Sequence, residues 1–137
     1  MKNNKKILLI SNFENTEIYH KIFDKSFGNN IYWYVVNKKK YEFLKKFYLT
    51  ENMIYLNKKN FPNFNTEENN LEDIKLNELL WSDRVLKINQ QNQDYLKTIA
   101  NYIYKFLKKN QINIIFGEFT WSYEIVISRV AKILNIP

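Results

Sequence analysis

The chain has no cysteine, a single histidine, two glycines, two prolines and, among its 21 basic residues, only two arginines. Each shortage excludes something. Without cysteine there is no disulfide, no thiol nucleophile and no thiolate metal site. His20 alone cannot build a metal site without further His or Cys partners. An acid–base role for it is the sharper reading and packing on the boundary of a helix the plainer one. Gly28 and Gly117 are the only glycines, so neither the G-x-G-x-x-G fingerprint nor a P-loop can be spelled, and a pyrophosphate is not cradled here in the usual way. No apolar run approaches the roughly 20 residues that cross a bilayer. The basic start, Met1 to Lys6 before Ile7-Leu8-Leu9-Ile10, resembles a signal peptide only superficially. Its apolar run is too short and no small-residue cleavage site follows. The chain is therefore expected to be cytoplasmic.

The formal charge of +7 raises the question of nucleic acid. Arg84 and Arg129 are the only arginines, so bidentate readers of bases and phosphates are nearly absent. The lysines come in scattered pairs (Lys5-Lys6, Lys45-Lys46, Lys58-Lys59, Lys108-Lys109), as on solvated faces. No specific nucleic-acid partner is expected. The same charge would help a peripheral protein sit near anionic headgroups at the inner membrane surface.

What is present is apolar material: 45% hydrophobic and 17% aromatic residues in 137, enough for one domain with a core. Ile7–Ile10 reads as a strand buried on both faces. Asn15 or Thr16 can cap a helix in which Ile18, Tyr19, Ile22, Phe23 and Phe27 recur at helical spacing, and Gly28 stands where a helix C-terminal glycine belongs. A second strand, Ile31 to Val36, is followed by Asn37 capping a Lys-rich helix with Tyr41, Leu44, Phe47 and Tyr48 inward. Met53 to Leu56 is a short third strand. Asn57 to Asn70 has no apolar period and carries Pro62, which predicts a long loop. Leu71 to Leu80 forms a helix broken at Trp81-Ser82-Asp83-Arg84. Gln91 to Lys109 is the longest helix. A buried strand, Ile112 to Phe116, and a helix with Tyr123, Ile127, Val130 and Leu134 on its buried stripe complete the chain.

Strands alternating with helices predict an α/β fold: a Rossmann-like open parallel sheet of about four strands, order 3-2-1-4, with helices on both faces. The switch point then lies between strands one and four, so that the loops Ser11–Asn15 and Gly117–Ser122 flank a crevice. In the second loop, Thr120 or Ser122 is expected to cap the helix and Glu124 to serve its dipole, while free N–H groups would favour an anionic ligand. Trp121 could stack on a sugar face, and Glu118 could accept sugar hydroxyls or act as a base. Asp83-Arg84 is either a local ion pair or a means for Arg84 to reach a phosphate or carboxylate. A helix followed by Asn135-Ile136-Pro137 ordinarily leads into another strand. Residues 1–137 are therefore expected to be a single Rossmann-like domain, the amino-terminal part of a longer two-domain protein.

The run Ile114-Ile115-Phe116-Gly117-Glu118-Phe119-Thr120-Trp121, with Glu124, Arg129 and Ala131 to Pro137, together with Ser82-Asp83-Arg84-Val85-Leu86, resembles the amino-terminal domain of bacterial capsular and surface-polysaccharide biosynthesis proteins. These are similar to GT-B type glycosyltransferases. The resemblance implies an acceptor-side domain that receives a sugar or lipid-linked acceptor and is inactive by itself. It implies no cofactor in this domain: the nucleotide-sugar donor would bind mainly to a missing carboxyl-terminal domain. Glu118 is then the candidate catalytic base, and Ser11, Asn12, Gly117, Thr120, Trp121 and Arg84 are candidate substrate-binding residues, with no metal ligand among them. Two other readings share the sheet. One is a non-catalytic Rossmann-like interaction or regulatory domain, although Ser11-Asn12 replaces the acidic pair a receiver would need. The other is the amino-terminal half of a nucleotide-sugar epimerase-like enzyme.

Overall fold

The first strand forms where the sequence places four consecutive branched apolar residues, Ile7 to Ile10, and every one of them is buried. The computed structural model describes residues 4–11, 14–56, 71, 74–81, 83 and 86–137. They divide between two compact units, Met1–Pro62 with Ile112–Glu118 and Asn63–Gln111 with Phe119–Pro137. The predicted loop at Asn57–Asn70 lies outside the described residues.

The first unit holds the sheet. Strands β1 (Ile7–Ile10), β2 (Ile31–Val35), β3 (Met53–Tyr55) and β4 (Ile114–Gly117) are all parallel and ordered β3-β2-β1-β4, as expected for a Rossmann-like α/β fold. Ile7 pairs with Ile31 on one side and Ile114 on the other. The register of β4 is set just before it begins. The Asn113 side chain accepts from the Lys6 amide at 2.9 Å, and the Asn113 amide donates to the Lys6 carbonyl at 2.9 Å. Helices α1 (Thr16–Phe27) and α2 (Lys38–Leu44) link the first strands. Gly28 ends α1 at φ 53°, donating to the Asp24 carbonyl. Asn37 caps α2 by accepting from the amides of Lys39 and Lys40.

One face of the sheet, Ile7, Leu9, Ile31, Trp33, Val35 and Met53, forms a cluster with Leu44 and Tyr48. Against it pack Tyr19, Phe23 and Phe27 from α1 and Tyr41 and Phe43 from α2. Each fully buried aliphatic or aromatic side chain there contributes about 1.5–3 kcal/mol. The expected inward stripe of α1 is corrected in one respect. Ile18 and Ile22 are 53% and 57% exposed, because at 100° per residue they fall on the flank of the helix while Tyr19, Phe23 and Phe27 share the sheet-facing stripe. Phe47, expected inward, lies beyond the end of α2 and is exposed. Strand β4, expected to be buried, is half-buried with Phe116 exposed, since it pairs only with β1 among the described strands.

The second unit is helical: α3 (Leu76–Trp81), α4 (Gln90–Asn110) and α5 (Ser122–Ile133), in mutual contact. Asn89 caps α4 by accepting from the Asn92 amide at 2.8 Å, and Gln111 closes it in the left-handed region at φ 56°. Leu96, Ile99, Ala100, Ile103, Phe106 and Leu107 form the buried stripe of α4. On α5 the expected Ile127 and Val130 are buried, together with Val126 and Ala131, while Tyr123 and Leu134, also expected inward, are half-buried.

Candidate functional site

Because β1 and β4 are neighbours, their carboxyl ends lie side by side, with Ile10 paired to Gly117. Gly117 is required there by geometry. Its φ is +145°, and a Cβ would stand 2.1 Å from the Ile10 carbonyl oxygen. Its role is therefore close approach of two backbones, not contact through a side chain. The pairing continues one residue further: the Glu118 amide donates to the Ile10 carbonyl at 3.0 Å. This holds the Glu118 backbone to the sheet and brings its carboxylate to the first turn of α1, where the Asn15 side-chain amide donates to Glu118 Oε1 at 3.2 Å.

Asn15 occupies the N-cap position of α1 without capping it through its side chain. Its amide is used across 103 residues of sequence instead. Tyr19, one turn along, is the third member of the group. Burial raises its phenol pKa, the nearby Glu118 carboxylate raises it further, and a hydrogen bond with the Asn15 side chain opposes them. Tyr19 also packs edge-on against Phe116, with ring centroids 5.5 Å apart. Glu118, Asn15, Tyr19 and Phe116 thus form one cluster at the carboxyl edge of the sheet: a carboxylate, an amide, a protonated phenol and an exposed ring.

Of the residues expected at the first loop, Asn12 lies outside the described residues. Ser11 is fully buried and its hydroxyl is hydrogen-bonded to that of Thr16 at 2.9 Å. It tethers the strand end to α1 and presents no hydroxyl to solvent. Arg84 lies outside the described residues.

Thr120 and Trp121 belong to the second unit, at the start of α5. Neither expected hydroxyl caps that helix. The N-cap position is Trp121, and two carboxylates serve the terminus. Glu124 Oε2 accepts from the amides of Thr120 at 2.8 Å and Trp121 at 3.1 Å, the back-bonding half of a capping box. Asp83 Oδ2 accepts from the Ser122 amide at 2.9 Å and also from the Ser122 hydroxyl, while its Oδ1 accepts from the Leu86 amide at 2.9 Å. The expectation of free N–H groups for an anionic ligand is thereby corrected. Asp83 and Glu124 already occupy these amides, and their charge would repel a second anion. Tyr123 titrates above the usual tyrosine range because it is desolvated and because Glu124 and Asp83 lie close.

His20 is half-buried and paired: its Nδ1 lies 2.7 Å from the Tyr48 hydroxyl, and its ring lies against Phe47 with centroids 4.3 Å apart. Burial and the nearby Asp24 carboxylate push the Tyr48 phenol upward in pKa. The pair joins α1 to the segment after α2, which is a packing role. Among the described residues no group of three His, Asp or Glu side chains could hold a metal ion, and no helix is long and apolar enough to cross a membrane.

Asn15, Tyr19 and Phe116 are the members of the edge cluster that sequence reading did not nominate for a site. One signal was available. Phe116 and Glu118 flank Gly117 at the carboxyl end of β4, where open parallel sheets bind their ligands. Compared with protein-family models, with curated proteins and with solved structures, the chain has no match in any of the three.

Proposed function

We propose that the chain is the acceptor-side domain of a GT-B-like glycosyltransferase acting in capsular or surface-polysaccharide biosynthesis, with Glu118 as the base. The observation that supports this reading is the placement of Glu118. The carboxylate stands at the carboxyl end of β4, beside β1, where open parallel sheets bind their ligands, and the Asn15 amide orients it. In the reaction Glu118 takes the proton from an acceptor hydroxyl as that oxygen bonds to the anomeric carbon of the donor sugar. The bond from that carbon to the nucleotide phosphate breaks, and the nucleotide leaves with the electron pair. The nucleotide-sugar is held by a carboxyl-terminal domain, in keeping with the lack of a glycine fingerprint here. A sugar or lipid-linked acceptor is then met at the inner membrane surface, which the +7 charge favours.

The test is turnover by the full-length enzyme carrying Glu118→Gln, which keeps shape and hydrogen bonding while removing the charge. General-base assistance is worth about 10²–10⁴-fold, so kcat should fall by at least that order with thermal stability unchanged. A loss below about tenfold in a folded variant would remove Glu118 from the chemistry, leaving the interaction-domain reading. Unfolding of the variant would show that the carboxylate serves the β4–α1 junction alone.

A further inference from the structure

We propose that the outer face of α1 and α2, which pack on the same side of the sheet, docks on an anionic membrane surface. Charge is concentrated there: residues 16–47 hold seven lysines against three acids. Two of those acids, Glu17 and Glu42, are paired with Lys40 and Lys45, and the third, Asp24, lies near Tyr48. On α1, Ile18, Lys21, Ile22 and Lys25 follow the i, i+3, i+4, i+7 spacing of one helical face. That face is turned away from Tyr19, Phe23 and Phe27, which meet the sheet, and all four of its residues are exposed. On α2, Lys38, Lys39 and Lys46 are exposed, while Tyr41 packs against the core. Phe47 stands between the two helices, its ring 4.3 Å from that of His20 and 5.2 Å from that of Phe43. It stays 53% exposed because its neighbour Tyr48 takes the inward place, with its hydroxyl on His20 Nδ1.

Exposed apolar residues taken singly are ordinary; here the residues around them select the partner. Residues 16–47 contain no arginine, the side chain that pairs bidentately with carboxylates and phosphates, whereas lysine is a compact, strongly hydrated charge. Such charges suit the diffuse negative potential of lipid headgroups, where each contributes about fivefold in affinity. Lys21 and Lys25 interleave with Ile18 and Ile22, so a protein helix laid on this face would draw ammonium groups into its apolar seam. On a bilayer the lysine stems lie along the surface and their ammonium groups reach the headgroups, while the isoleucines and Phe47 enter the acyl boundary. A nucleic acid would meet the lysines and leave the isoleucines in water. Stable peripheral contact takes an apolar and a basic signal together, and this face carries both. It uses no residue of the carboxyl edge and so goes beyond the reading given for Glu118.

The experiment is co-sedimentation of the 137-residue chain with vesicles of phosphatidylcholine, pure or with about one-third phosphatidylglycerol. The anionic vesicles should be bound at least about tenfold more tightly, and added salt should weaken the contact. Lys21→Glu with Lys25→Glu should lower that affinity by about 25-fold or more. Lys105→Glu with Lys109→Glu, exposed on α4, changes the net charge equally and should lower it by less than about threefold. Ile18→Ser with Ile22→Ser should weaken binding by about fivefold or more. Melting temperatures establish that the variants fold. Should the α1 variants unfold, spin-labelled lipid decides the point with the wild-type chain: it should broaden the amide signals of α1 and Phe47 ahead of those of α4. Equal binding to both vesicles, equal losses from the α1 and α4 charge reversals, no effect of the isoleucines, or no vesicle binding would each overturn the docking face. So would binding to polyglutamate or to an oligonucleotide as tight as to the anionic vesicles, which would assign the lysines to an acidic protein or a nucleic acid. None of these outcomes bears on Glu118, whose role is decided by the turnover of Glu118→Gln.

Discussion

Gly117 shows how a single residue can be dictated by its neighbours rather than by ligand chemistry. At φ +145° with Ile10 O 2.1 Å from any added Cβ, alanine cannot be accommodated unless the β1–β4 pairing opens. Gly117→Ala is expected to cost about 2 kcal/mol or more, from backbone strain of about 1–3 kcal/mol plus the clash. Urea unfolding measures it, and a wild-type midpoint would contradict the backbone geometry. The residue scale also separates two kinds of carboxylate. Asp83 and Glu124 are engaged by the backbone amides at the start of α5, whereas Glu118 stands at the carboxyl end of β4 and accepts from the Asn15 side-chain amide. That placement, invisible in the letters Asp and Glu, is why Glu118 is the carboxylate proposed for the chemistry.

At the scale of elements, α5 is the informative case. Its sequence suggests a local cap by Thr120 or Ser122, but the helix is capped by Glu124 from inside and by Asp83 from 39 residues away. Asp83 therefore links Leu86 to the start of α5, within the second unit. Asp83→Ala should lose the cap and leave the Ser122 amide and hydroxyl unpartnered, a cost of about 1–2 kcal/mol. Asp83→Asn should cost less, because its carbonyl oxygen still accepts. Chemical denaturation of the two variants gives both values; equal stability of wild type and Asp83→Ala would show that the cap contributes nothing. In α1 the periodic apolar set splits into a buried stripe and an exposed flank, Ile18 and Ile22. Spacing alone does not make that division, since it depends on which side of the helix meets the sheet.

For the whole molecule the tyrosines determine the response to alkali. Tyr19, Tyr48, Tyr95, Tyr102 and Tyr123 all have raised pKa values, with burial as the leading cause in each. A phenol that holds its proton more tightly when folded contributes stability that is complete below the unfolded pKa of about 10 and is lost as pH rises toward the folded value. The melting temperature should therefore stay level from neutral pH to about pH 9 and fall steeply above about pH 10. Ionisation of these rings, followed at 295 nm, should accompany unfolding; tyrosinate absorbance from all of them in a still-folded protein would refute the assignment. Glu17 acts with the opposite sign. Its hydrogen bond to Lys40 lowers its pKa, so its contribution is present above the unfolded carboxylate pKa and fades in acid. It is small, because the pair is only partly buried and solvent screens it.

By itself the sequence determined the α/β class, the four strands and their order, because runs such as Ile7–Ile10 and Ile31–Val35 have the apolar continuity of strands in a parallel sheet, and helices of 3.6-residue period separate them. It also determined the local devices that act within a few residues, the Asn37 cap and the Gly28 stop, since their hydrogen bonds close inside one turn. Only the tertiary structure decided what depends on distant neighbours. It buried Ser11 against Thr16, turned the side chain of Asn15 from capping to Glu118, drew Asp83 to α5 and packed Phe116 against Tyr19 and Phe23 with part of its ring exposed. Periodicity reports how a residue faces its own element. Which partners wait on that face is set by how the elements pack, and the candidate site is made of those partners.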